Sequence, residues 1–172
     1  MGLRTSVIVA ALAASVLAFP LPGRPQEAIF VVRHSDPPPM LRLDDISDDT
    51  PLSESGQQRA AMLAARLKDA GIAVIYASQA RRTVETAEPL AKALGVQIRV
   101  HSYDDVDGMV SQLRSDHQGD RVLIVGHWST IPLILKAFGD LHEITIERSA
   151  YDHLFVIIPR GEQSPTVLHL HY

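Results

Sequence analysis

The chain has 172 residues, 46% of them hydrophobic, and carries 16 basic against 20 acidic side chains for a formal net charge of -4. That length supports one domain with a substantial core rather than two. Interspersed charges leave no basic patch for nucleic acid, and the absence of cysteine excludes disulfides, thiolate metal centres and thiol nucleophiles.

Residues 1–25 read as an address ahead of the fold. One cation, Arg4, precedes an apolar run from Val7 to Phe19, and Pro20, Pro22 and Pro25 follow. The run is shorter than the ~20 residues of a membrane span and suits a secretory signal peptide, with an uncleaved N-terminal anchor as the alternative. Either reading places residues 26–172 outside a bacterial cytoplasm, in the periplasm or secreted.

Beyond the leader, apolar runs of strand length alternate with segments of helical period, the pattern of an α/β layer fold. Strands are predicted at 28–33, 73–77, 96–100, 121–126, 153–158 and 166–171. The first helix starts near Ser53, an N-cap after Pro51, repeats Ala60, Leu63, Ala64 and Leu67 on one face, and ends at Gly71. A second carries Val84, Ala87, Ala91 and Leu94 on one stripe and stops at Gly95. A third spans about 105–116. The fourth, "STIPLILKAFG", is apolar almost all round, which predicts deep burial, with Pro132 tolerated in its first turn. Residues 37–50 form a non-core segment, stiff through its prolines and then acidic through Asp44, Asp45, Asp48 and Asp49, which read as solvated. The last two strands flank "RGEQSP", a hairpin loop, so the sheet is mixed, mostly parallel, and flanked by helices.

Three strand ends share a feature. The first strand stops on Arg33 and His34, the second runs into "QARRTVETAEPLA", and the fourth, "RVLIVG", runs into His127. The carboxyl ends of parallel strands form the crevice of an α/β sheet, so two histidines and one or two arginines converge on one anion-friendly mouth. A guanidinium matches phosphate oxygens in a fork and stays charged, while a neutral imidazole is a competent nucleophile whose protonation nearby cations oppose. This pairing points to phosphoryl chemistry.

The stretches "VVRHSD", "PLSESGQQRA", "YASQARRTVETAEPLA" and "VLIVGHWSTIP" resemble, in order, the motifs of the histidine phosphatase superfamily, in its phosphoglycerate mutase-like branch. "YDHLFVI" resembles the strand that follows the second histidine in short bacterial phosphatases of that family. The resemblance implies a three-layer phosphoglycerate mutase-like fold and a metal-independent, cofactor-free phosphatase. It implies that His34 attacks phosphorus, that Arg33, Arg82 and His127 clamp the phosphoryl oxygens, and that Asp105 is the first candidate for the acid, with Asp104, Asp107 and Asp36 behind it. Arg82 is chosen over Arg81 by alignment of the R-x-x-x-T-A pattern with Thr86 and Ala87. Arg81 itself reads as a solvated helix charge paired with Glu85.

The chain departs from the family pattern at Ser35, Asp36 and Pro37, and at Trp128, which either fills the core or narrows the mouth. The expected partner is a small phosphorylated substrate, and the expected state a monomer. A phosphohistidine protein phosphatase and a non-catalytic binder of phosphorylated ligands are the alternatives. His169 and His171 share a strand face at i, i+2, but with no third ligand evident they read as an ordinary exposed face rather than a metal site.

Overall fold

A computed structural model describes residues 25–39, 47–161 and 163–172. The leader through residue 24, and Asp44 and Asp45, lie outside the described residues. The elements in chain order are β1 (Ala28–Arg33), α1 (Glu54–Leu67), β2 (Ile72–Ser78), α2 (Arg81–Leu94), β3 (Ile98–His101), α3 (Val106–Asp116), β4 (Arg121–Gly126), α4 (Ile131–Ala137), β5 (His153–Arg160) and β6 (Gln163–His171). They form one six-stranded sheet in the order β3-β2-β4-β1-β5-β6. The β1–β4, β2–β4 and β2–β3 pairs are parallel; β1–β5 and β5–β6 are antiparallel.

The three layers follow from side-chain alternation along continuous apolar strands, which can be buried on both faces only in the middle of a layered sheet. On one face Ile29, Val31, Val122 and Ile124 pack against Val110 and Leu113 of α3 and Ile134 and Leu135 of α4. On the other, Val32, Leu123 and Val125 meet Leu63 and Leu67 of α1 and Leu90 of α2. The expected face of α1 is buried, and its N-cap Ser53 accepts a hydrogen bond from the Gly56 amide. α2 ends at Gly95, whose φ of 69° is the left-handed turn that glycine adopts without a Cβ clash.

Two expectations need correction. α4 is a short helix with one buried face: Ile131, Ile134 and Leu135 are inside, but Leu133 is 55% exposed. Its apolar composition does not translate into burial all round because none of the described residues covers the outer face at Leu133. The last hairpin is also tighter than "RGEQSP" suggests, since β5 runs through Arg160 and pairs it with Gln163 across the turn at Gly161. No helix among the described residues is long and apolar enough to cross a membrane.

The parallel strands β1, β2 and β4 end together at Arg33, Ser78 and Gly126. β5 runs the other way, so its first residues reach the same edge. A Cβ on Gly126 would lie 2.8 Å from Thr130 Oγ1, so the strand-to-helix turn closes tightly only with glycine there.

Candidate active site

His34 extends β1 by one residue, and its amide donates to the Gly126 carbonyl at 2.9 Å. This places it beside His127, the residue after Gly126, with ring centroids 5.2 Å apart and planes at 64°. His34 Nδ1 lies 2.8 Å from the Ser35 carbonyl. A carbonyl only accepts, so Nδ1 carries the proton and Nε2 the lone pair. The Ser35 amide donates to Thr86 Oγ1 at 2.9 Å, and Thr86 Oγ1 donates to the Arg82 carbonyl at 2.7 Å. Thr86 thus ties the loop that carries His34 to the first turn of α2, which carries Arg82.

Both arginines are buried and anchored from one side. Arg33 Nη1 donates to the carbonyls of Arg148 and Ala150, each at 2.8 Å, and its guanidinium lies 3.8 Å over the Tyr151 ring. Arg82 Nη1 donates to the Ser47 carbonyl at 2.8 Å. The Nε–H groups of both are buried with no hydrogen-bond partner among the described residues. Burial lowers both pKa values, and Arg82 adds to the lowering at Arg33; a guanidinium nonetheless remains cationic at neutral pH. Two buried cationic donors left unsatisfied are expensive unless an anion completes them.

His127 is held between Ser78 and Arg82. Its Nε2 lies 2.7 Å from Ser78 Oγ, which in turn is 3.0 Å from Thr83 Oγ1. Its Nδ1 faces Arg82 Nη2 at 3.5 Å, a long contact in which only arginine can donate. Nε2–H therefore donates to Ser78 and the ring is neutral. Because a hydroxyl both donates and accepts, Ser78 also supports the opposite tautomer, with Nδ1–H turned to an acceptor in the pocket. Burial, Arg82 and Arg33 push the His127 pKa down to about 4. Burial, with His127, Arg33 and Arg82 nearby, holds His34 well below the ordinary histidine value despite the Ser35 hydrogen bond. Both rings are uncharged at neutral pH, the state a nucleophilic imidazole requires.

The sequence-derived candidates Arg33, His34, Arg82 and His127 come together; the acid candidates are placed differently. Asp105 caps α3, Oδ1 accepting from the Gly108 amide at 2.9 Å, and lines a cavity with Asp104, Asp107, Tyr103 and Thr130. That cavity adjoins the site, since Tyr103 lies edge-on to His127 with ring centroids 5.8 Å apart and Thr130 Oγ1 accepts from the His127 amide. Asp36 is engaged by Arg59 at 2.7 Å. Arg81 is exposed and paired with Glu85 at 2.7 Å, as its spacing predicts. Trp128 is half-buried against the core, with Arg148 4.5 Å over its ring.

Three residues were missed. Tyr151 covers Arg33 and lies 5.7 Å from the His34 ring, Ser78 fixes His127, and Asp48 carries a negative charge that acts on both Arg82 and His127. "YDHLFVI" contains the signal for Tyr151, and Ser78 directly follows the strand predicted at 73–77. Asp48 has no signal of its own, being one acid of several in a loop.

The family "Histidine phosphatase superfamily (branch 1)" matches residues 29–103. No curated protein matches the chain by sequence. Among solved structures, the protein histidine phosphatase SixA complexed with tungstate superposes with a TM-score of 0.67 at 17% identity, covering 84% of this chain and 96% of that one. A candidate phosphohistidine phosphatase SixA from Agrobacterium tumefaciens gives 0.59 at 19% identity over 77% and 92%. A mycobacterial glucosyl-3-phosphoglycerate phosphatase gives 0.62 at 16% identity over 85% and 98%. Residues 29–103 are thus similar to the histidine phosphatase superfamily, and the six-stranded mixed sheet is the fold these solved phosphatases share.

Proposed function

We propose that the protein hydrolyses small phosphomonoesters through a phosphohistidine on His34. Nε2 attacks phosphorus in line, the bond to the leaving oxygen breaks, and an acid returns a proton to that oxygen. Water, giving a proton to the conjugate base of that acid, then cleaves the P–N bond, releasing inorganic phosphate and restoring both the acid and the neutral ring. Arg33 and Arg82 hold the non-bridging oxygens, and His127, in its Nδ1–H tautomer, donates to a third, so the charge of the transition state meets donors already in place. No metal or cofactor enters this scheme. One observation carries it: two buried guanidiniums present unpartnered Nε–H groups beside a neutral imidazole whose tautomer leaves Nε2 free. Asp105 is the proposed acid. In this reading the leader over residues 1–25 exports a monomeric enzyme formed by residues 26–172.

A second reading, a phosphohistidine phosphatase acting on proteins, is supported by the likeness to SixA.

Turnover of p-nitrophenyl phosphate in excess EDTA, lost in His34→Ala, is the expected result. Binding of phosphate with no turnover of any ester would instead indicate a non-catalytic binder, and a requirement for added metal would contradict the mechanism. Turnover of a phosphohistidine peptide far above that of every small ester would favour the second reading.

A further inference from the structure

We propose that His153, His169 and His171 form a binding site for one divalent transition ion of the zinc class on the open face of the β5–β6 hairpin. The hairpin register builds it. His153 pairs with His171 and Phe155 with His169, so alternation puts all three imidazoles on one face of two adjacent strands. One ring nitrogen from each residue lies within 4.8 Å of the other two, and His153 Nδ1 and His169 Nε2 already meet at 2.6 Å. Tetrahedral zinc with nitrogens at ~2.0–2.1 Å needs its ligands about 3.3 Å apart. Small rotations of half-buried and exposed side chains reach that spacing, while the strand ladder holds the backbone.

The surroundings are those of a ligand set. Asp152 Oδ2 lies 3.0 Å from His171 Nδ1, which holds the proton there and leaves Nε2 as the donor atom, the carboxylate–histidine arrangement that orients metal ligands. Phe155 stacks on His169 with centroids 4.3 Å apart and planes at 15°, a flat apolar wall along which that ring can turn. Three imidazoles without a thiolate or a directly placed carboxylate select zinc, nickel or copper over magnesium or calcium, and solvent on the open side supplies the fourth ligand. His34 and His127 take no part.

The test is calorimetric titration of the untagged, chelator-treated full chain with Zn2+ in a non-coordinating buffer. One ion per chain is expected, with affinity reduced at least about tenfold in His169→Ala and in His171→Gln, and unchanged in His34→Ala and His142→Ala. Circular dichroism confirms that each variant is folded. Failure to bind Zn2+, equal binding in His169→Ala, His171→Gln and the parent, or loss confined to His34→Ala would overturn the assignment; the last would place the ion in the phosphate pocket.

Discussion

The neutral state of His127 makes a quantitative claim about stability in acid. In the folded protein burial and two arginines hold its pKa at about 4, against an ordinary value of 6.5. Between these pH values the unfolded chain takes up a proton at this position and the folded chain does not, so stability falls as pH falls. The window opens near 6.5 and closes near 4, below which both states are protonated. A difference of about 2.5 units at about 1.36 kcal/mol each gives roughly 3 kcal/mol, a sizeable share of a total stability of about 5–15 kcal/mol. Urea unfolding of the parent and of His127→Gln across pH 7 to 4 isolates this contribution. The variant should lose stability at pH 7, where Ser78 and Arg82 are left imperfectly paired, and recover roughly 3 kcal/mol relative to the parent by pH 4. Saturating phosphate should raise the His127 pKa, followed by NMR, because the anion favours the imidazolium. A stability difference that stays flat over this window would refute the account of a buried, cation-flanked imidazole.

Further perturbations test other parts of the structure. Gly56→Ala would place a Cβ 2.2 Å from the Asp36 carbonyl, which also accepts from the Ser53 amide and hydroxyl; the overpacking of about 1–3 kcal/mol outweighs a helix-propensity gain of about 1 kcal/mol, so urea unfolding should show net destabilisation. Ser78→Ala strands the buried Nε2–H of His127, and kcat on an aryl phosphate should fall on the order of tenfold or more without loss of fold. Asp105→Asn should slow alkyl phosphates about tenfold or more beyond its effect on aryl phosphates, and since Asn caps a helix as well as Asp, stability should not change. An equal effect on both leaving groups would remove Asp105 from the acid role and direct the same test to Asp48→Asn.

The central strands and the faces of α1 and α2 were legible because apolar periodicity encodes burial directly, as Ile29, Val31 and Leu63 illustrate. Arg82 was separable from Arg81 only through its spacing to Thr86, and the structure supplies the reason: Thr86 binds the Arg82 carbonyl and the Ser35 amide together. Long-range partners were not legible. Tyr151 meets Arg33 across 118 positions because β5 runs antiparallel to β1, and no local pattern fixes that pairing. Likewise His153 joins His169 and His171 only through the register set at Gly161, which sequence reasoning made too loose. Leu133 shows the converse, an apolar residue that composition marks for the core and the packing leaves outside.

The proposed covalent step is tested most directly by rapid quench of the protein with 32P-labelled phosphomonoester, followed by digestion and mapping of the label. The account predicts a phosphoryl group on Nε2 of His34, labile in acid and stable in base, absent from His34→Ala. Turnover at the full rate with no label on His34, or with the label on another residue, would contradict it.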